Sequence, residues 1–301
     1  METRNNERFS QKHPFLFGSL LIVTAVALIL GAMAASRLFD RKLAGGLSGQ
    51  ALGVCHISGL IMSSGETVDW LQELRDDGAV KGVLLRIDSP GGAIGPSQEI
   101  FEAVRDLAKT KPVVSSFGSV AASGGYYVAA PSTMIVANPG SLTASIGVLM
   151  EYLDVQQLIE RFGIRQELLS SGKNKGAGSP FRSLTPEQRT QIMSVIMDLH
   201  EQFVGDVADS RNMTRKDVQA LADGRALTGR QAQKAGLVDR LGGEQEALQA
   251  LKELCGVTEA DVPLKEGPPD KRDYLERLLD TVQHYVPEGR WSLPSFLFRF
   301  P

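Results

Sequence analysis

Residues 81–118, "KGVLLRIDSPGGAIGPSQEIFEAVRDLAKTKPVVSSFG", decide the fold class. The first piece, "KGVLLRIDSPGG", is a short apolar run ended by Pro-Gly-Gly, which predicts a buried strand running into a loop. "PSQEIFEAVRDLAKT" predicts a helix with proline near its start, and "PVVSSFG" a second strand. Strand, helix and strand in that order favour parallel pairing, because a parallel partner needs a long crossover. The same alternation extends both ways. "VCHISGLI" (54–61) reads as a strand. "SSGETVDWLQELRDDGAV" (63–80) reads as a helix, with an N-cap-like serine and Val68, Leu71 and Leu74 at helical spacing. "TMIVANP" and "SIGVLM" continue as strands. The expectation is an α/β fold with mainly parallel pairing.

After about residue 184 the chain turns mostly helical. "TPEQRTQIMSVIMDLHEQFVGDVADSRN" is a long amphipathic helix led by threonine and proline. "TRKDVQALAD", "TGRQAQKAG" and "GGEQEALQALKELCG" are shorter ones. The tail differs in character: "GPPDKRDYLERLLDTVQHYV" is a Pro-led amphipathic helix and "WSLPSFLFRFP" an apolar, aromatic end. So apolar an end is expected to dock on something. At the other terminus, Pro14 to Ser36 hold no charged residue, and about 20 apolar residues suffice to span a bilayer. Arg4, Arg8 and Lys12 precede this run, and Arg37, Arg41 and Lys42 follow it, so the flanking charges do not orient it. A cleaved signal is the rival reading, but the run exceeds the usual signal core of about 7 to 15 residues. The expected organisation is a short N-terminus (1–13), a transmembrane signal anchor (14–36), a glycine- and serine-rich linker (37–52), a folded domain (53–264) and a tail (265–301); which side of the membrane each end faces is left open.

The 301 residues are 43% hydrophobic, enough for a normal core, and carry a formal net charge of -3. That balance argues against a nucleic-acid partner, which usually meets a basic stripe. Cys55 and Cys255 lack neighbours at metal-ligand spacing, which disfavours a zinc site. Cys55 reads as a small buried hydrophobe.

Candidate chemistry begins with "GSVAASGGYYVAAP" (118–131), where Ser123 is followed by Gly124 and Gly125. A serine nucleophile needs an adjacent base and donors aimed at the developing oxyanion. The stretch follows a strand and opens a helix, so the Gly124 N–H would point outward at its start. The same letters also fit a small-residue helix packed tightly on a sheet. "DSPGG" (88–92) offers further backbone donors, or an edge for an extended peptide. Asp88 could brace that loop or serve as a triad acid, which would need a histidine. None of His13, His56, His200 and His284 lies in a glycine-rich loop, which disfavours a Ser-His-Asp triad. Lysine is the alternative base. "LLSSGKNKGAGSPFRSLTPEQ" puts Lys173 and Lys175 in a loop between a strand and a helix. A lysine acts as a base only after burial has lowered its pKa. Ser141, Thr143 and Ser145 in "GSLTASIGVLM" could orient the amine.

Taken together, "LLRIDSPGG", "SSFGSVAASGGYYVAAP", "GSLTASIGV", "SSGKNKGAGSPFRSLTPEQ" and "ADGRALTGRQAQKAGLVDRLGG" resemble, in order, the bacterial signal peptide peptidase A family of serine–lysine peptidases. The resemblance covers residues 54 to about 250. It implies that Ser123 is the nucleophile, Lys175 the general base and Ser145 the residue that orients the lysine. Gly124 and Gly92, the latter preferred to Gly91, would form the oxyanion hole. It further implies a crotonase/ClpP-like fold of repeated ββα units behind one N-terminal transmembrane helix, a ring-shaped homo-oligomer, and a catalytic domain on the extracytoplasmic side of a bacterial inner membrane. The substrates would be cleaved signal peptides and other apolar peptides, with no cofactor or metal. Gly176 departs from the acidic residue that often follows the lysine in that family. The rival readings are a crotonase-type acyl-CoA enzyme, which shares the fold, and an inactive peptide-binding membrane scaffold. "SLPSFLFRFP" could also lie in a peptide groove as a self-inhibitor.

Overall fold

The computed structural model describes residues 50–259 and 261–269, the backbone of Phe296–Arg299, and three helical positions at Thr24, Leu28 and Gly31. The chain divides into two units, Met1–Gly49 and Gln50–Pro301. Apart from those three positions, the apolar run 14–36 lies outside the described residues, as does the tail helix beyond Pro269. Among the described residues no helix is long and apolar enough to cross a membrane.

The second unit begins with β1 (Ala51–Ile61), α1 (Gly65–Asp76), β2 (Val80–Ala93), α2 (Ile94–Ala108) and β3 (Val113–Ala122). A six-residue α3 (Gly124–Ala129) follows, then β4 (Met134–Ala137), β5 (Leu142–Ala144), β6 (Leu149–Met150) and α4 (Gln156–Arg161). Next come the long α5 (Pro186–Arg211), α6 (Arg215–Leu221), β7 (Ala226–Thr228), α7 (Gly229–Lys234), β8 (Arg240–Leu241) and α8 (Glu244–Cys255). Two short strands, β9 (Leu264–Gly267) and β10 (Phe296–Arg299), complete it. β1, β2, β3 and β4 run parallel, β8 joins beyond β4, and β9 pairs with β1. Among the described residues, antiparallel pairing is confined to β5 with β7 and to β10, which lies between β2 and β6. The expected α/β class with mainly parallel pairing is therefore what the chain adopts.

The central strands read as unbroken apolar runs because both their faces are covered. Leu84 belongs to one apolar cluster with Val114, Val136 and Leu251 of α8. Its neighbours Val83 and Leu85 belong to the other, with α1, α2, α3 and α5. Truncating a core leucine such as Leu84 costs about 2–5 kcal/mol. Cys55 is buried and free, and burial pushes its thiol up to about 12. The helix starts follow their sequence signals: Thr185, Thr214 and Thr228 each accept a backbone N–H three residues on. Ser64 does not cap α1 with its side chain; it donates to Glu99 instead.

Three sequence expectations are corrected. "SPGG" is not a loop, because β2 runs through it to Ala93. The register shifts around Ser89 on both sides, and Pro90 has no registered partner on β1 or β3. Its missing N–H therefore removes no regular ladder bond. Gly92 is required there: a Cβ would stand 2.1 Å from the carbonyl oxygen of Ile61 on β1. "SIGVLM" is a strand only at Leu149–Met150. Ala144 and Ser145 take left-handed φ values of 61° and 50°, which end β5 and redirect the chain. The loop with Lys173 and Lys175 follows helix α4, not a strand.

Candidate active site

Ser123 sits where β3 ends and α3 begins, with φ 53° and ψ -118°. That conformation is normally reserved for glycine, and another residue holds it at a cost of order 1–3 kcal/mol. The neighbours enforce it. The Ser123 N–H donates to the Ala144 carbonyl at 2.7 Å, and the Ser123 carbonyl accepts the Tyr127 N–H at 2.8 Å. All of α3 is buried. The Tyr126 hydroxyl donates to the Leu237 carbonyl, and the Tyr127 hydroxyl to Asp206. Tyr127 also stacks on Phe101, ring centroids 4.6 Å apart, and meets Phe203 edge-on. Burial holds both phenols well above their ordinary pKa. The Ser123 hydroxyl, fully buried, has no hydrogen-bond partner among the described residues.

Gly124 and Gly92 meet at this point. A Cβ on Gly124 would stand 3.2 Å from the Gly92 nitrogen, 3.2 Å from Gly91 Cα and 2.8 Å from Ser97 Oγ. A Cβ on Gly125 would stand 2.6 Å from the Ser89 carbonyl oxygen. Thus the small residues of "SGG" let α3 sit against the extended end of β2, and that closeness packs Gly92 against Gly124, the residue that follows the serine. Asp88 braces the same corner, its carboxylate accepting the Val120 N–H at 3.0 Å.

Of the three hydroxyls that could orient an amine, two are committed to β3. Ser141 donates to the Gly118 carbonyl and Thr143 to the Ala121 carbonyl. Ser145 is different. Its N–H donates to the Arg225 carbonyl, and its hydroxyl donates to the Gly224 carbonyl at 3.2 Å. It also lines a cavity of 410 Å³ with Leu149, Met193, Met197 and His200. His200 is buried, and burial pulls its imidazole below its ordinary pKa.

The structure does not bring Lys175 to Ser123 within the chain. Lys173 and Lys175 are both exposed, while the Ser123 hydroxyl is buried and unpartnered. Their loop is tied to α5 instead: the buried Gln188 donates from Nε2 to the Lys173 carbonyl at 2.8 Å and completes the Thr185 capping box. Gly176 has a packing reason, since Arg182 and Leu168 fill the space a side chain would need. The segment before this loop leaves several apolar side chains uncovered among its charged ones. α4 buries no residue, and Phe162 and Leu169 are 76% and 90% exposed.

Sequence reasoning missed the strained serine, the cavity and the tie at Gln188. The Met193, Met197, His200 spacing on one long helix and the T-x-x-Q capping box were the available signals. The backbone strain had none.

The model of peptidase family S49 matches residues 105–258. A Synechocystis sp. protein provisionally named protease slr0021 is 42% identical over 182 residues, 60% of this chain and 66% of that one. An Enterococcus faecium protein provisionally named signal peptide peptidase SppA is 35% identical over 237 residues, 74% of this chain and 69% of its own length. Protease 4 of Salmonella typhi is 30% identical over 253 residues, 80% of this chain but 41% of that protein. The chain thus spans no more than about two thirds of the length of the relatives it matches. Among solved structures, a ClpP1 mutant from Listeria monocytogenes superposes with a TM-score of 0.44 at 13% identity, over 65% of this chain and 94% of that one.

Proposed function

The chain belongs to peptidase family S49, and on that premise we propose that it is a serine endopeptidase with Ser123 as nucleophile and Lys175 as general base. The observation that carries this reading is the Ser123 hydroxyl. It is buried, unpartnered and held on a strained turn, and Gly92 packs against the Gly124 that follows it. A buried hydroxyl without a partner costs about 1–3 kcal/mol, and strain kept at such a point is typical of a functional site.

The base comes from a second copy of the chain. The exposed apolar side chains between Leu153 and Leu169, Phe162 and Leu169 above all, support this, because monomers seldom leave a large apolar patch in water. Docked on a neighbour, it would carry Lys175 into dry surroundings, where the neutral amine is favoured. Lys175 then takes the Ser123 proton as Oγ attacks the scissile carbonyl. Gly124 and Gly92, preferred to Gly91, donate to the oxyanion, and Ser145 orients the amine. Lys175 next protonates the leaving amine, and water hydrolyses the acyl-enzyme. These steps need no cofactor or metal.

The substrates in this reading are cleaved signal peptides and other apolar, unfolded peptides. Residues 14–36 anchor the chain in a bacterial inner membrane with the catalytic unit on the extracytoplasmic side. The copies close into a ring, and the fold follows the crotonase/ClpP-like pattern of ββα units.

Subunit mixing tests the proposal. Ser123→Ala and Lys175→Ala chains should each be inactive on a signal peptide, and the mixed chains should recover a fraction of parental activity. Parental rates in either variant alone refute the dyad, and no recovery on mixing refutes its assembly from two copies. Separation of Ser123 from Lys175 within the chain also suits a non-catalytic peptide-binding scaffold. Labelling of the parent, but not of Lys175→Ala, by a serine-reactive fluorophosphonate excludes that reading.

A further inference from the structure

α3 has six residues, too few for a helix to hold its own shape in water. Yet the strained turn at Ser123 depends on it, because the first hydrogen bond of the helix runs from the Tyr127 N–H to the Ser123 carbonyl at 2.8 Å. The rotation of α3 about its own axis must therefore be fixed from outside. Two phenol hydroxyls reach out of the helix. Tyr126 donates to a main-chain acceptor, the Leu237 carbonyl, at 3.0 Å. Tyr127 donates to a side chain, the Asp206 carboxylate, at 2.5 Å. Ring packing alone requires no such partner. Phenylalanine at 127 would keep the stack on Phe101 and the edge contact with Phe203, with no hydroxyl to satisfy. What the hydroxyl adds is direction, since a charge-assisted hydrogen bond is short and oriented.

Asp206 is placed to receive that bond. It lies on α5 between Val204 and Val207, both buried in the apolar cluster that also holds Tyr126 and Tyr127, so its backbone is fixed by the core. Gln98 of α2 meets the same hydroxyl and is tied to Gln202 of α5 at 3.0 Å. The Tyr127 hydroxyl thus ends in a polar seam between two helices. Burial, together with the Asp206 bond, holds the phenol above its ordinary pKa, so it stays a donor. The geometry points to Asp206 as the positioning residue for the nucleophile: through Tyr127 it fixes α3, and through α3 the turn that aims the Ser123 hydroxyl. Asp206 acts only through Tyr127 and takes no part in the proton transfers. The inference deepens the peptidase reading and rests on it for the word nucleophile.

Asp206→Ala, Asp206→Asn and Tyr127→Phe in the full chain test it. The readout is kcat on a quenched-fluorescence apolar peptide, counted per serine labelled to completion by a fluorophosphonate, so that unfolded chains do not enter. A reacting group misplaced by about 1 Å can lose on the order of 100-fold in rate, and a loosened one less, so Asp206→Ala and Tyr127→Phe should each lower kcat per site about 10- to 100-fold. KM should stay within about twofold, because ground-state contacts with the peptide are untouched. Asp206→Asn keeps an acceptor oxygen, its bond about half as strong when neutral, and should recover most of the loss. Asp206→Ala combined with Tyr127→Phe should be no slower than the slower single variant, because both break the same bond. The midpoint of the pH–rate profile should not move, because the base is unchanged. A bond that serves folding alone would give fewer labelled serines and a lower urea midpoint, with parental kcat at each site. That result overturns the inference, as do losses that multiply in the double variant or an Asn variant as slow as the Ala one; each leaves the peptidase reading intact. A parent chain with neither hydrolysis nor labelling overturns the peptidase reading itself, and the positioning role falls with it.

Discussion

Ser123 and Ser115 are both fully buried serines, and they should respond to alanine with opposite signs. Ser115 shares a 2.7 Å hydrogen bond with Ser132, whose side chain is also buried. Ser115→Ala removes that bond and strands the Ser132 hydroxyl, at a cost of about 1–3 kcal/mol. The Ser123 hydroxyl has no partner to lose. Removing it relieves a desolvation cost of about 1–3 kcal/mol. The void left is about 10 Å³, worth roughly 0.2 kcal/mol at about 24 cal/mol per Å³. Ser123→Ala should thus stabilise the chain by about 1–2 kcal/mol while abolishing hydrolysis. Ser123→Gly also releases the strain at φ 53°, offset by about 1 kcal/mol of glycine's chain entropy, and should be no less stable than the parent. The assay is urea unfolding of the full chain in detergent, comparing midpoints at constant slope. In an assembled oligomer, where a neighbour's amine reaches the hydroxyl, the gain should shrink, so a dilution series separates the two states. A Ser123→Ala chain that unfolds at the parent's midpoint or below it, in dilute protein, refutes the claim that this hydroxyl is stored strain.

Gly92→Ala should fail in folding rather than in chemistry, because its Cβ meets the backbone of Ile61 and β1 must part from β2. We expect a loss of about 3 kcal/mol or more, seen as a lowered urea midpoint along with lost activity. Gln188→Ala should cost only about 1 kcal/mol globally, yet it frees the lysine loop from α5. Limited trypsin digestion should then cut after Lys173 or Lys175 many times faster than in the parent. His200 titrates lower folded than unfolded because burial disfavours its charged form, with Glu201 opposing. The unfolded chain therefore binds the extra proton, and stability from this site is complete above about pH 6.5 and declines as pH falls below it. His200→Gln should lose less Tm than the parent between pH 7.5 and 5.5.

The alternation of strand and helix was legible because the central strands are buried on both faces and so read as plain apolar runs. The threonine caps were legible because capping is local chemistry. What stayed hidden is non-local. "SPGG" reads as a loop by every short-range rule, and it becomes a strand only because β1 and β10 supply partners on either side. The two alternatives for "SVAASGGYY" could not be separated by its letters, since both demand small residues. The structure shows Gly124 and Gly125 packed against β2, so close packing is the means by which the serine is placed. The lysine is the opposite case. Its motif is legible in sequence, yet the chain leaves it exposed.

These observations share one geometric cause. A parallel strand that turns into a helix must leave its neighbour's edge uncovered from that point on. In this chain the turn is Ser123, so the uncovered edge of β2 starts at the serine itself. The β2 residues beyond it, Gly91 and Gly92, have no Cβ, so another backbone can approach them closely. β10 lies on that edge, paired with β2 on one side and β6 on the other. Binding of this kind reads the backbone and demands an extended, unfolded segment. In the proposed peptidase, selection by side chain would fall to the cavity lined by Met193 and Met197, flexible side chains that can adapt to apolar groups of different shape. Replacing both methionines with valine should therefore narrow the range of apolar peptides cleaved while leaving the rate on the best of them within about threefold; an unchanged range would place side-chain selection elsewhere in the chain.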